Sequence, residues 1–314
     1  MLTNQVIMAC HFMKEIAQKT GADKALIDSF VNAAGELKES LLKHALNEEG
    51  YFNGFFNDDG NWIFSTKDPD GQKRVYGPAS WWSLASGVAI PDQVDSCLAT
   101  LDFLKCDAGW RLNWPQFRFG EVKKVGRMAT CDTPPGRAEH GNAYNQGSHG
   151  FLARGLAAAG KGDLLYEALI NLLPYDQERH PVKQVMTPPY AVLNVWEEIP
   201  RFKNRGKNTF LTGSISYGIR GVYDWMYGIR PNLDGLVIDP VLPSSFKEAK
   251  ATIHYRGKEC SIIIENGGDG CQVKSMTLNS KPVTKTITDV FSGRTLYEID
   301  DELLQDHNEI LVTV

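Results

Sequence analysis

The sequence has no run of apolar residues near the ~18–20 that a membrane-crossing helix requires. Its longest uncharged stretch, around 76–90, is broken by Gly77, Pro78 and three serines. It has no excess of positive charge: 33 Lys and Arg stand against 38 Asp and Glu, a formal −5, which disfavours a nucleic-acid surface. The opening residues, MLTNQVIMACHFMKEIAQ, lack a basic leader start and carry Lys14 and Glu15 within the apolar stretch, so they do not read as a secretory leader. Six cysteines, at 10, 97, 106, 131, 260 and 271, form no Cys-x-x-Cys pair and no Cys/His metal spacing. They read as reduced thiols of a cytoplasmic protein without a metal centre. There is no nucleophile elbow, Walker loop, dinucleotide fingerprint or zincin helix, so no cofactor is expected. GKGD at 160–163 is too short for a phosphate loop and reads as a turn between helices.

What is present fits a globular protein of about two domains. The 314 residues are 42% hydrophobic and 23% charged. Seven Trp, 11 Tyr and 14 Phe include several beside Gly and Asn in loops, where both core packing and sugar platforms are open readings.

The texture changes near residue 232. Before it, helical spacing of apolar residues predicts helices at 3–18, 23–46, 79–88, 91–105, 144–159, 162–173, 187–197 and 212–227. Two long loops, 50–77 and 106–142, are rich in Gly, Asp, Asn, Trp and Pro, the composition of functional loops. After Pro231 come short β-branched runs: Leu236-Val-Ile, 251–255, 260–264, 273–278 and 310–314. Turn-formers at Arg256-Gly257, 266–270 and 279–282 separate them, which predicts a small antiparallel β domain.

Three stretches resemble the carbohydrate phosphorylases of glycoside hydrolase family 94. PPGRAEHGNAYNQGSHGF (134–151) is similar to that family's Pro-Pro-Gly, Arg-Glu-Asn-Gly and Tyr-Thr/Asn-His pattern. NTFLTGSISYGIRGVYDWMYGIRP (208–231) is similar to its aromatic-Thr-Gly-Ser/Thr-Ala segment and the helix after it. DGLVIDPVLPSSF (234–246) resembles its junction into a β domain, with weaker echoes at 55–62 and 82–87. The resemblance implies an (α/α)6 barrel of the six-hairpin type. Residues 1–232 would be its C-terminal part, and 233–314 a β-sandwich domain. Twelve helices make such a barrel and about eight are visible here, so the resemblance implies a chain that starts partway round it.

The implied reaction is inverting phosphorolysis of a β-linked gluco-oligosaccharide, giving an α-sugar 1-phosphate, with inorganic phosphate as co-substrate. A hydrolase of this geometry needs two carboxylates, one of them to activate water. A phosphorylase brings its own nucleophile, so one acid suffices, and the phosphate must be held by N–H, hydroxyl or cationic donors. By resemblance Thr212 and Gly213 contact phosphate, at a helix start where the dipole favours an anion; an ordinary Thr N-cap is the alternative. Gln146 stands where the family often has a phosphate-binding His, and its amide donates without charge. Arg137 and His149 are further phosphate candidates, although a lone His is more often a satisfied structural residue. Glu139, Tyr144, His140 and Trp81 are sugar-binding candidates, against a surface-loop role for Glu139 and core packing for Tyr144 and Trp81. Ala138 stands between Arg137 and Glu139 where the family has none, and Ser80-Trp81-Trp82 replaces its Gln-Ser-Trp.

The family's general acid is the Asp of a Trp-Asn-Asp motif, which this chain does not contain. The acid is expected upstream of Met1. The chain then reads as a fragment or subunit whose partners are an oligosaccharide, phosphate, and a complementary N-terminal chain or a second copy. A non-catalytic carbohydrate-binding relative is the alternative. A third reading is a hydrolase pairing Asp58 or Asp59 with Glu139, although Asp58-Asp59-Gly60 is also a simple turn signal.

Overall fold

The computed structural model describes residues 1–117, 122–125, 141–172, 188, 191–198, 203–209, 212–268 and 270–314. Helices dominate the first part and strands the last. Seven α-helices lie among the described residues: Leu2–Lys19, Lys24–Ser40, Gly77–Ala85, Val94–Leu104, Phe151–Ala158, Gly162–Asn171 and Thr212–Arg220. Asp23 starts the second by accepting from the Leu26 N–H at 2.8 Å. Gly77–Ala85 begins with Pro78 in its first turn and is buried at every residue, as expected of a helix that is apolar nearly all round. It packs on Phe151–Ala158, where Gly155 admits the neighbouring backbone: a Cβ there would sit 2.6 Å from the Trp81 carbonyl oxygen.

Three helices end or begin in wider π-helical turns: Leu41–Ala45, Gln146–Gly150 and Gly221–Met226. The helices expected at 23–46, 144–159 and 212–227 are therefore each continuous in the chain but change winding partway. The helix expected at 187–197 is a misreading. Leu193–Glu197 is a strand, buried at all five residues, between Ala143–Tyr144 and Arg205–Thr209. A short apolar run with both faces covered carries no period that separates strand from helix.

In the β region a five-stranded sheet runs Glu248–Tyr255, Lys258–Glu265, His307–Thr313, Ser275–Leu278, Lys281–Pro282. Arg256 and Gly257 join the first two strands, both with positive φ (50° and 80°), the tight two-residue turn that Gly accommodates. A four-stranded sheet runs Ile229–Pro231, Gly235–Ile238, Thr295–Asp300, Thr286–Thr288. The pairings are antiparallel, as expected, except that Lys258–Glu265 pairs in parallel with His307–Thr313. The chain leaves the larger sheet after Glu265 and builds part of both sheets before it returns, and a crossover of that length permits a parallel neighbour. One apolar core runs through both regions, from Trp81, Leu152 and Leu169 to Leu236, Ile262 and Val312.

Candidate functional site

The site grows from one corner of the helical region. The three-stranded sheet of Ala143–Tyr144, Leu193–Glu197 and Arg205–Thr209 feeds two helical segments, one opening at Gln146 and the other at Thr212. Asn145 is fully buried and donates through its Nδ2 to the Leu193 carbonyl at 2.9 Å, which ties the first segment to the sheet. Ser214 donates to the Asn194 Oδ1 at 3.1 Å and ties the second. The segments then run side by side. Gly213 faces Gln146, Gly150 faces Tyr217, and the Phe151 and Tyr217 rings meet edge to face at 5.2 Å.

At the start of the pair, a Cβ on residue 213 would lie 2.6 Å from the Gln146 Oε1. Gly213 therefore leaves the room that the Gln146 amide occupies. The Thr212–Arg220 helix has no acidic residue in its first turn, so no carboxylate of that turn offsets the positive end of its dipole. The first N–H groups of any helix lack intrahelical acceptors. Thr212 opens this helix; its side chain lies outside the described residues. So do Arg137, Glu139 and His140 in their entirety.

His149 is fully buried. Its Nδ1 lies 2.8 Å from the Asn145 Oδ1 and its Nε2 accepts from the Trp110 N–H at 3.4 Å. Asn145 spends its own N–H on Leu193, so its oxygen is the acceptor and His149 is the neutral tautomer with the proton on Nδ1. Gly109 makes room for the ring. At φ 108° it holds a conformation few side chains adopt, and a Cβ there would fall 2.4 Å from the His149 Nε2. With both ring nitrogens engaged, His149 holds the Asn145 turn and presents no free donor. Tyr144 is half-buried, donates its N–H to the Ser148 hydroxyl at 3.0 Å and packs its ring edge against Gly147.

Trp81 is 0% exposed, walled in by Gly77 and Gly155. Its indole N–H finds no acceptor among the described residues. In this conformation it is a packing residue, with no surface left for a sugar. Asp58 and Asp59 stand on an exposed hairpin tip: Asn57 accepts from the Asp59 N–H at 3.1 Å, and Asp59 pairs with Lys124 at 2.5 Å. That is a turn, and Glu139, the carboxylate paired with it in the hydrolase reading, lies outside the described residues.

The residues that sequence reasoning did not single out are the anchors Asn145, Asn194 and Ser214. Asn145 and Ser214 lie inside the two quoted motifs. Asn194 lies in the misread strand and carried no signal.

The family profile of the glycosyl hydrolase 94 superfamily, catalytic domain, matches residues 1–228. The chain is similar to cellobionic acid phosphorylase of Neurospora crassa, 27% identical over 259 residues, 81% of this chain and 32% of that protein. It is similar to solabiose phosphorylase of Paenibacillus borealis, 24% identical over 295 residues, 92% of this chain and 37% of that protein. A third relative, 3-O-beta-D-glucopyranosyl-beta-D-glucuronide phosphorylase of the same organism, is 28% identical over 219 residues, 69% of this chain and 28% of that protein. The chain thus spans about a third of the length of these curated relatives. With the family profile covering its whole helical part, the chain belongs to the glycosyl hydrolase 94 superfamily.

Proposed function

We propose that this chain supplies the phosphate-holding side of an inverting glycoside phosphorylase. A β-linked gluco-oligosaccharide is the substrate class and an α-sugar 1-phosphate the product. The observation that carries the reading is the meeting of Gln146 and Gly213 at the start of the Thr212–Arg220 helix. Phosphate needs donors that tolerate charge. The Gln146 amide, the Thr212 hydroxyl and the first helix N–H groups are donors of that kind, and the dipole adds to them.

In this reading phosphate attacks the anomeric carbon from the face held by these donors. A carboxylic acid protonates the departing glycosidic oxygen from the other face. The chain carries no Trp-Asn-Asp, so the proton donor comes from outside these 314 residues, within a longer chain or on a partner. The helices form part of an (α/α)6 barrel whose remainder comes from the same source. Arg137 joins the phosphate side; Glu139, His140 and Tyr144 face sugar hydroxyls. His149 acts indirectly, by fixing the Asn145 turn from which Gln146 projects.

The test is made on the native gene product from its source cells. Its intact mass is compared with the 34.9 kDa of this chain, and sugar 1-phosphate release from β-linked gluco-oligosaccharides is followed with and without phosphate. Phosphate-dependent release, from a species of larger mass or from a two-chain complex, supports the proposal. Sugar binding with no turnover by a species of this mass supports the non-catalytic relative instead.

A further inference from the structure

A cavity of about 480 Å³ opens where the helical and β regions meet. It is well inside the ~300–1,000 Å³ range of small-molecule sites. It is not the corner described above. Arg154 lies eight residues beyond Gln146 and Arg220 eight beyond Thr212, each about 12 Å further along its helical segment. The segments that begin at the candidate site thus end at this cavity.

Four arginines line it: Arg154, Arg220, Arg230 and Arg294. Three have carboxylate partners. Arg220 holds Asp224 at 2.7 Å, and Arg230 and Arg294 share Asp239 at 3.1 and 2.6 Å. Arg154 has no ion pair or hydrogen bond among the described residues. It lies over the Trp82 ring, 5.8 Å from its centroid. Burial, helped by the charge of Arg220, pushes its pKa down to about 10. A largely desolvated guanidinium without an acceptor is costly, and an anionic oxygen is the group that best relieves it.

The rest of the wall selects what carries that anion. Glu15 and Asp289 line the cavity too, and burial holds the Glu15 carboxyl above its usual range. These carboxylates repel a ligand charged throughout, yet they accept from hydroxyls, as the Thr288 side chain also can. Phe291 and Leu296 add apolar surface. The lining asks for one localised anion, several hydroxyls and an apolar face.

We propose that this cavity binds a hexose monophosphate, with Arg154 and Arg220 on the phosphate and Glu15, Asp289 and Thr288 on the sugar hydroxyls. The proposal does not depend on the phosphorolysis reading. Isothermal titration of the purified chain uses glucose 1-phosphate, glucose 6-phosphate, inorganic phosphate and glucose as separate probes. At least one hexose phosphate binds one to one, about tenfold or more tighter than phosphate or glucose alone. Arg154→Gln weakens it about tenfold or more, whereas Lys250→Gln, at an exposed position of the strand Glu248–Tyr255 outside the cavity lining, leaves it within about twofold. Binding of neither hexose phosphate overturns the proposal. Inorganic phosphate binding as tightly, unchanged affinity in Arg154→Gln, or an equal loss in Lys250→Gln does so as well. Circular dichroism and the thermal midpoint establish that Arg154→Gln is folded. Should it not fold, the half-exposed Arg220→Gln carries the same test: a loss of about threefold or more supports the site and wild-type affinity overturns it.

Discussion

Gly213 is the residue on which the functional reading turns. Its missing Cβ leaves the space for the end of the Gln146 side chain, a flexible group that can swing away. Gly213→Ala should therefore cost the fold little, and helix propensity favours Ala over Gly by roughly 0.5–1 kcal/mol. The expected outcome is a thermal midpoint unchanged or raised, with the affinity for phosphate lowered about tenfold or more as the amide is displaced. Parallel stability and phosphate-affinity measurements separate the two effects. His149 should behave in the opposite way. His149→Ala leaves the Asn145 Oδ1 and the Trp110 N–H buried without partners, at about 1–3 kcal/mol each. Chemical denaturation should show that loss, and Gln146→Ala should not share it.

Among the elements, the loop that closes on Arg74 shows electrostatics buried for shape. The Arg74 side chain is 0% exposed, reaches Asp68 at 3.2 Å and Asp70 at 2.7 and 2.8 Å, and stacks 4.2 Å from the Phe117 centroid. Burial raises the Asp68 pKa above its usual value even beside this cation, and the Arg74 hydrogen bonds hold Asp70 below its own. Arg74→Met strands a buried carboxylate, a change that costs about 3–5 kcal/mol. The loss should be largest near neutral pH. It should shrink as pH falls through the carboxylate range and Asp68 takes up a proton, as denaturant unfolding at two pH values would reveal. Most elements were legible from periodicity and punctuation: the helix capped at Asp23, the hairpin at Arg256-Gly257, the β-branched strands after Pro231. The strand Leu193–Glu197 was not, since one partner, Ala143–Tyr144, lies far back in the sequence and the nearby one, Arg205–Thr209, does not look like a strand. Arg205–Thr209, read alone as RGKNT, has no β signal at all. The site was legible through the Thr212-Gly213 and Gln146 motifs. Its anchoring depends on side chains meeting across that unrecognised sheet, so Asn194 stayed hidden, while the satisfied partners of His149 and the burial of Trp81 required coordinates.

At the scale of the whole molecule, the helical region leaves apolar surface open. Leu2, Val6, Met13 and Ile16 fall on one stripe of the first helix and are exposed by 70, 49, 44 and 44%. A contiguous patch of this kind drives association. The isolated chain should self-associate as concentration rises, and the double change Val6→Glu with Met13→Glu should return it toward the monomer without lowering its thermal midpoint. Analytical ultracentrifugation over a concentration series would decide. The family membership, the two helical segments that open together at Gln146 and Thr212, and the absence of Trp-Asn-Asp from this sequence lead to one account, in which these residues hold phosphate for an acid supplied from elsewhere. The most direct test is the initial rate of sugar 1-phosphate formation from β-linked gluco-oligosaccharides by the native protein as phosphate is varied from zero. The account predicts no cleavage without phosphate, saturation as phosphate rises, and an α-anomeric product. Cleavage to free sugar at zero phosphate would contradict it.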